Sequence, residues 1–304
     1  KIILTILFSI LIVTGQAQNS VRDLEKYLED IKKQPYLSLP KTILEDQKNE
    51  NKQLKLLKTY TNDSLAIVRN RSYYFIKVIG KRSDDATVRQ TAVMALLEGI
   101  KDKDTGISGS NSEALKGFEK RDYTTEAKSM LTQLLKPGTP HLFQIIRLTG
   151  FLDLKDQQPK LTEMMNGKTT ANDKWACHLA LARMGDLSSI NFILDKVKST
   201  AVDDNLIYGI VPDLIYTKQK TIFNYLVTII NLDTPTCQSA NPDSNQKILC
   251  GYRVMEYMAS YIKGFPVAVD EFGDLKDSDY QKSLLTVREW FDINPNYEIL
   301  TDKY

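Results

Sequence analysis

The chain has 304 residues, of which 42% are hydrophobic and 26% are charged, and this composition excludes the collagen-like and intrinsically disordered classes. The 40 Lys and Arg residues against 38 Asp and Glu residues give a formal net charge of +2, so no global field favours nucleic acid or an anionic membrane. Only 14 Gly and 10 Pro argue against a β-sandwich or barrel with many tight turns.

The N-terminal residues have the pattern of an export signal. Lys1 precedes an apolar run over residues 2–13, which is too short to span a bilayer comfortably. Gly15 and Ala17 then provide small residues at the −3 and −1 positions of a signal-peptidase site. We therefore expect residues 1–17 to be a cleaved signal peptide and the protein to be exported, to the periplasm or outside the cell. The alternative is that this segment is retained as an N-terminal membrane anchor. If it is cleaved, we expect no membrane insertion of the mature chain.

Helical spacing of apolar residues begins near Ser20, in a stretch that resembles a capping box. The stripe of the first helix comprises Val21, Leu24, Leu28 and Ile31. Pro35 and Pro40 break this helix, and a second helix is predicted over 43–60 with a polar interruption at 45–53. Residues 18–60 are expected to form an N-terminal cap of helices.

Two Val-Arg pairs, Val68-Arg69 and Val88-Arg89, each stand near the start of an apolar helix. The interval of twenty residues is too short for a two-helix repeat, so the pairs are predicted to mark successive helices ending at Gly80 and Gly99. A Gly/Ser-rich run over 105–112 then favours a loop inserted near 101–120.

Most of the remaining chain is predicted to be helical, with Pro212 kinking one helix. The predicted helices cover 124–136, 141–152, 158–166, 175–186, 188–199, 203–215, 221–230 and 245–263. Strand-type alternation is limited to one short candidate at 266–269. The sequence therefore predicts an all-α fold.

The stretch Trp175–Asp186 is the most regular of these helices. Its buried face comprises Cys177, Ala180, Leu181 and Met184. Gly185 is expected to end the helix in a left-handed conformation, and Asp186 to begin the next turn. Asp153 ends an earlier helix 33 positions before Asp186, a separation typical of helical-hairpin repeats.

An Ala-rich, Leu-bearing helix ending in Gly-Asp resembles the second helix of a HEAT-type repeat, and Val-Arg near a helix start is a further HEAT-type feature. The resemblance covers roughly residues 60–230 and is most specific over 140–200. It implies an α-solenoid of stacked antiparallel helix pairs, a HEAT-like superhelix. Residues 61–235 would then hold the repeats and 236–304 a C-terminal helical cap. A tetratricopeptide array or a non-repetitive helical domain are the structural alternatives.

Three cysteines occur in the chain. Cys177 lies on a buried stripe, where a small sulfur side chain packs like Ala or Val. Cys237 and Cys250 flank the turn-rich segment 238–245. Export permits a disulfide between them that closes this loop, and two inert thiols are the alternative.

Signatures of catalysis are missing from the sequence. His178 adjoins Cys177, but neighbouring helical residues diverge by about 100° and do not easily share a metal, so His178 is expected to pack or to lie at the surface. His141 is expected at a helix start. No His-Glu-x-x-His, Cys-x-x-Cys or Gly-x-Ser-x-Gly motif occurs. We expect no catalytic residues, no metal and no cofactor.

Two stretches superficially resemble ligand-binding loops. Asn166–Thr169 looks like the end of a phosphate-binding loop, but Thr162 stands where its first Gly is required, so Gly167 is interpreted as a helix end. Asp270–Asp279 holds five carboxylates without the alternation of an EF-hand. A solvated loop is therefore expected there instead of a calcium site.

Aromatic residues suggest a binding surface in the C-terminal region. Tyr257 and Tyr261 are one helical turn apart, and Arg253 lies one turn earlier. Tyr and Arg on one helix face are enriched at binding hot spots. Arg253, Tyr257 and Tyr261 are therefore the predicted binding residues, and flank packing against a neighbouring helix is the alternative.

The sequence thus predicts an exported, non-catalytic scaffold that binds a protein partner on the solenoid surface. One alternative is a carbohydrate-binding role for the Tyr-rich C-terminal region. The other is an enzyme-associated domain, since some HEAT-like families act as lyases or carry a cofactor. Nucleic acid is not an expected partner.

Overall fold

A computed structural model describes residues 20–239, 243 and 245–304 of the chain, and the expected signal peptide at 1–17 lies outside the described residues. The described part is mostly helical, with a single two-stranded sheet, and this confirms the all-α prediction. No helix in these ranges is long and apolar enough to cross a membrane.

The chain divides into two compact units, Lys1–Ile145 and Ile146–Tyr304. The first unit consists of successive helices joined by short turns. They are α1 (20–30), α2 (Lys41–Glu45), α3 (Glu50–Tyr60), α4 (Ala66–Arg82), α5 (Ala86–Gly99), α6 (Thr105–Leu115), α7 (Thr125–Leu134) and the start of α8 (Leu142–Phe151). The Val-Arg pairs thus begin successive helices, α4 and α5, as predicted.

The core of the first unit lies where α4 packs against α5. Fully buried apolar side chains face each other there: Val68, Phe75, Ile76, Ile79, Val88, Ala92, Val93 and Leu96. A Cβ atom added to Gly80 would lie only 2.3 Å from the Cβ of Ala92. Gly80 therefore permits a close approach of the two helices that no larger residue allows.

Two arginine–aspartate pairs connect a helix to the segment that follows the next helix along the chain. Arg69 donates from Nε and Nη2 to the carboxylate of Asp102, at 2.8 and 2.9 Å, and Arg89 donates from Nε to Asp122 at 2.7 Å. Each pair spans 33 residues, and each arginine also donates to a carbonyl six residues before it. The first turn of α4 and the first turn of α5 are thereby each held to the segment that follows the next helix.

The expected loop at 101–120 is wrong, because most of it forms α6. Asp104 caps this helix, and its side chain accepts a hydrogen bond from the Ile107 amide. Ile107 and Leu115 are buried against the core. The cap and the two apolar anchors outweigh the weak helix propensity of the Gly and Ser residues between them.

The second unit contains shorter helices and the small sheet. Its elements are the rest of α8, α9 (Gln158–Asn166), α10 (Ala171–Arg183), α11 (Leu187–Lys198), α12 (Asp204–Gly209), α13 (Val211–Thr217), α14 (Lys220–Ile230), β1 (Cys237–Gln238), β2 (Lys247–Ile248), α15 (Gly251–Ala259) and α16 (Tyr280–Ile293). The strands pair antiparallel.

The Trp175–Asp186 stretch forms α10 and the turn after it. Cys177 and Ala180 are fully buried, and Gly185 has a φ angle of 93°, in the left-handed region that favours glycine. Asp186 then caps α11, since its side chain accepts from the Ser189 amide. The prediction of a buried stripe, a glycine stop and a new turn is confirmed.

The predicted helix over 203–215 is divided in two. Asp203 caps α12 as expected, and the helix axis breaks at Ile210, next to Pro212 in the first turn of α13. Proline lacks the amide that would continue the α12 hydrogen bonds, so the break follows directly from its position.

The predicted helix over 245–263 is also wrong in its bounds. Cys250 is bonded to Cys237, and β2 pairs with β1 immediately before it, so helix α15 begins only at Gly251. The strand candidate at 266–269 contributes a single bridge, from Val269 to Leu275.

Helix α16 was not predicted. Its signal is present, because Asp279 caps the first turn and a buried stripe follows. The stripe comprises Ser283, Leu284, Val287 and Phe291. The acidic segment 270–279 lies directly before α16, so composition alone predicts a loop where this helix begins.

Candidate aromatic cleft of the second unit

The three predicted binding residues line one cleft of about 280 Å³. Helix α15 carries Arg253 and Tyr257 one turn apart, and Tyr261 follows two residues after its last turn. Other walls come from distant segments of the chain. They are Tyr208 of α12, Glu256 and Ser260, and the loop residues Val269, Phe272, Gly273 and Asp274.

Arg253 joins the walls of the cleft to one another. Its Nε donates to the Tyr208 hydroxyl at 3.2 Å, and its Nη1 donates to Glu256 at 2.7 Å and to Asp274 at 3.0 Å. Burial lowers the pKa of the guanidinium, but the hydrogen bonds to Glu256 and Asp274 and the charge of Glu256 together hold that pKa above its ordinary value. Arg253 is thus a fixed cation that ties α12, α15 and the loop together.

Glu256 is the buried anion of this network, with only 5% of its surface exposed. Its Oε1 accepts from the Tyr280 hydroxyl at 2.5 Å and from the Leu275 amide at 3.0 Å, and its Oε2 accepts from Arg253. Burial, followed by the hydrogen bond to Glu256, raises the pKa of Tyr280 to about 12. The carboxylate is satisfied on both oxygens, as a buried charge requires.

Aromatic rings provide the accessible surface of the cleft. Phe272 is 82% exposed and Tyr208 is 52% exposed, while Tyr257 and Tyr261 are half-buried. Burial raises the pKa of both Tyr257 and Tyr261, so their hydroxyls remain protonated near neutral pH. The Lys218 ammonium lies 3.4 Å from the ring centroid of Tyr261 and holds that ring by a cation–π contact.

The acidic segment 270–279 begins with a tight turn that positions Phe272. Asp270 accepts backbone amide hydrogen bonds from Phe272 at 2.8 Å and Asp274 at 3.1 Å, and Gly273 has a φ angle of 89°. Asp270 therefore stabilises the turn, and Asp274 pairs with Arg253. No cluster of potential metal ligands occurs among the residues that the structure describes.

The disulfide fixes the start of the helix that carries the site. Cys237 and Cys250 are bonded, and Cys250 immediately precedes α15. The Sγ atom of Cys250 also lies 3.2 Å from the Thr236 hydroxyl. The position of Arg253, three residues later, is therefore tied to the β1–β2 pair.

Cys177 and His178 have packing roles. Burial raises the pKa of the Cys177 thiol to about 12, so the reactive thiolate is disfavoured. The His178 ring stacks on Phe192 at a centroid distance of 3.8 Å, and burial lowers its pKa. Cys177 is thus a buried core residue and His178 packs on a neighbouring ring, as the sequence predicts for their packing.

Gly167 ends α9, as its interpretation as a helix end predicts, and its amide donates to the Met164 carbonyl. His141 stands just before α8, with its Nε2 3.0 Å from the Thr105 carbonyl.

Tyr208, Glu256, Phe272 and Asp274 are cleft residues that the sequence did not reveal. Glu256 lies three residues after Arg253, an arrangement typical of helical ion pairs, and this is the one local signal that pointed to it. The others come from segments up to 45 residues away from Arg253.

The structure thus describes an all-α protein with an aromatic-lined cleft built around the Arg253–Glu256 ion pair. No protein-family model matches the chain, and a search of curated proteins finds no match.

Proposed function

We propose that this protein is an exported, non-catalytic interaction scaffold that binds a partner protein through the aromatic cleft of its second unit. The observation that carries the proposal is the convergence of Arg253, Tyr257 and Tyr261 with two further exposed aromatic residues, Tyr208 and Phe272, on one concavity. Tyr, Phe and Arg are enriched at the energetic centres of protein interfaces.

The size of the cleft favours a single anchoring side chain. A volume of about 280 Å³ lies just below the range of roughly 300–1,000 Å³ typical of small-molecule pockets. Phe272, on its exposed turn, adds an apolar rim that a partner would cover. A partner side chain inserted between these rings would be desolvated without leaving a buried polar group unpaired.

The charge of the cleft indicates which partner surface fits. Arg253 carries one positive charge, and Glu256 and Asp274 carry two negative charges within 3.0 Å of it, so the charged walls sum to −1. An acidic side chain of the partner would be repelled by the exposed carboxylate of Asp274. The occupant is therefore an aromatic, aliphatic or basic side chain.

Two features support the wider proposal of an exported HEAT-like protein. The Cys237–Cys250 disulfide is of the kind that persists in oxidising compartments outside the cytosol. The two arginine–aspartate pairs each span 33 residues, and their arginines occupy equivalent positions in the first turns of the successive helices α4 and α5, which is consistent with a repeated helix arrangement.

The test compares variants of the purified full chain as baits for envelope or secreted proteins. Phe272→Ala and Tyr257→Ala are expected to reduce retention of a specific partner at least tenfold, since truncated hot-spot residues cost about 2 kcal/mol or more. Tyr36→Ala is the matched control, because Tyr36 is 97% exposed and lies in the first unit. Equal retention by all three variants would reject the cleft as the interface.

Carbohydrate binding is the second candidate, because the aromatic walls are bordered by the Tyr208 hydroxyl and the exposed carboxylate of Asp274. Aromatic rings stack on the C–H faces of sugars, while the Tyr208 hydroxyl and the Asp274 carboxylate would form hydrogen bonds with sugar hydroxyls. Glycan-array binding that is lost in Tyr257→Ala and Tyr261→Ala would favour this candidate, and no binding to any glycan would exclude it.

A further inference from the structure

A larger cleft in the first unit has a different chemistry from the aromatic cleft. Its volume is about 730 Å³, within the range typical of small-molecule pockets. Lys77 and Lys81 of α4 form one wall, and Ser110 and Glu113 of α6 form the facing wall. The remaining lining includes Lys116, Gly117 and His141.

One of the charged groups in this cleft is already neutralised. The Lys116 ammonium lies 2.6 Å from a carboxylate oxygen of Glu113, and that oxygen also accepts from the Gln144 amide at 2.9 Å. The Glu113–Lys116 pair adds no net charge, so the character of the cleft depends on the two lysines of α4.

Lys77 and Lys81 lie one turn apart on the same helix face, and neither has a carboxylate within salt-bridge distance in the part of the chain that the structure describes. The Lys77 ammonium lies 5.2 Å from the ring centroid of Tyr74, which keeps it half-buried. Two like charges at this spacing repel each other, and a bound anion would remove that repulsion.

Two glycines shape the cleft around its polar groups. A Cβ atom on Gly117 would lie 2.5 Å from the Lys81 ammonium, so that ammonium rests directly against the Gly117 backbone. A Cβ atom on Gly109 would lie 2.8 Å from the His141 ring. The contact of His141 Nε2 with the Thr105 carbonyl assigns the proton of the neutral ring to Nε2, which leaves Nδ1 as an acceptor.

We propose that this cleft binds a small molecule bearing a phosphate monoester, in particular a phosphorylated polyol such as a sugar phosphate. Two unpaired ammonium groups match the two charges of a phosphate monoester near neutral pH. The Ser110 hydroxyl is a further donor to phosphate oxygen. The carboxylate of Glu113 and Nδ1 of His141 are acceptors that suit hydroxyl groups on the rest of the molecule.

The test is calorimetric titration of the full chain with glucose 6-phosphate, inorganic phosphate, dimethyl phosphate and glucose at low ionic strength. Glucose 6-phosphate is expected to bind more tightly than inorganic phosphate, because it also uses the acceptors. Dimethyl phosphate, a monoanion, is expected to bind more weakly than inorganic phosphate, and glucose more weakly than glucose 6-phosphate.

Variants separate a built site from general attraction to positive charge. Lys77→Gln combined with Lys81→Gln is expected to weaken phosphate binding about tenfold, a few-fold for each partly exposed ion pair. Gly117→Ala keeps every charge but displaces the Lys81 ammonium, and is expected to weaken binding several-fold. Lys55→Gln, at an exposed position of α3 outside the cleft, is the control and is expected to have no effect.

Three results would overturn the proposal. They are the absence of saturable binding by both phosphate compounds at millimolar concentrations, equal weakening by Lys55→Gln, and equal affinity for glucose and glucose 6-phosphate. Phosphate binding without a gain for the sugar phosphate would overturn the polyol assignment.

Discussion

Replacement of Asp102 by Asn isolates the contribution of one buried ion pair. The side chains of Arg69 and Asp102 are only 5% and 4% exposed, and two hydrogen bonds of 2.8 and 2.9 Å join them. Asn has the shape of Asp, so it keeps the oxygen that accepts from the Asp104 amide at 2.8 Å. The substitution removes the charge and directs an NH₂ group at the guanidinium.

The magnitude follows from what remains around Arg69. Removal of one partner of a buried pair costs about 3–5 kcal/mol, because the other charge is left buried and uncompensated. Arg69 retains Nη1 hydrogen bonds to the carbonyls of Asp63 and Ser64, at 3.0 and 3.1 Å. These partners moderate the loss, so the free energy of unfolding is expected to fall by about 3 kcal/mol.

The assay is urea unfolding of the full chain, in which far-UV circular dichroism monitors the loss of helix in both units. Both tryptophans of the chain, Trp175 and Trp290, lie in the second unit, so tryptophan fluorescence reports that unit alone. The double variant Arg69→Met/Asp102→Leu is expected to be more stable than Asp102→Asn, because it leaves no buried charge. A loss below about 1 kcal/mol in Asp102→Asn would refute the argument.

The pH dependence gives an independent check of the same pair. Burial raises the pKa of Asp102, but the hydrogen bonds from Arg69 and the Asp104 amide and the positive charge of Arg69 together outweigh it, so the folded-state pKa lies below its ordinary value. The stabilisation is therefore present above the unfolded-state pKa of about 3.9 and is lost as pH falls through the folded-state pKa. The difference between wild type and Asp102→Asn should shrink below about pH 4, and a constant difference would contradict this.

Three further predictions concern other contacts. Glu256→Ala should lower the free energy of unfolding of the second unit by about 2–3 kcal/mol in fluorescence-monitored unfolding, because it removes the buried carboxylate that accepts from the Tyr280 hydroxyl, the Leu275 amide and Arg253, although Arg253 keeps Asp274; a variant of wild-type stability would contradict this. Cys237→Ser should lower the free energy of unfolding of the second unit by about 3 kcal/mol, because the disulfide no longer closes the loop in the unfolded chain. If the wild-type protein were equally stable with and without reductant, this prediction would be wrong. Gly80→Ala should lower the free energy of unfolding of the first unit by about 1–3 kcal/mol, measured by circular dichroism, since the new Cβ would collide with Ala92. A more stable variant would show instead that α4 and α5 move apart at little cost.

Local signals made much of the helical architecture predictable. Gly185 and Asp186 each act within their own turn, one by its left-handed backbone and the other by capping, so no distant contact is needed to place them. The break near Pro212 has the same local origin. The end of α10 and the start of α11 agree with the sequence prediction, whereas at Pro212 the predicted kink is a complete break between α12 and α13.

The sequence prediction is wrong about helix positions where contacts between distant parts of the chain determine the structure. Composition predicts a loop around Gly109, but Gly109 lies in α6, where the absence of a side chain leaves room for the His141 ring 32 residues later in the chain. The start of α15 depends on the bond from Cys250 to Cys237 and on strand pairing, neither of which helical spacing reveals. Propensity was overridden by tertiary structure in both regions.

The candidate cleft was predictable only in part, for the same reason. Helical spacing placed Arg253 and Tyr257 on one face, because residues four apart on a helix are neighbours. Tyr208 and Phe272 reach the cleft through the packing of α12 and the turn at Gly273, which depend on the folded arrangement of this unit.

The overlap of the two arginine–aspartate pairs restricts how this part of the chain can change in length. The pairs span 69–102 and 89–122, so residues 89–102 belong to both spans. A single inserted or deleted residue there would turn the helix by about 100° and move both arginines out of register with their aspartates. Point substitutions on the exposed surface of α5 are tolerable, whereas small insertions in it would break two buried ion pairs at once.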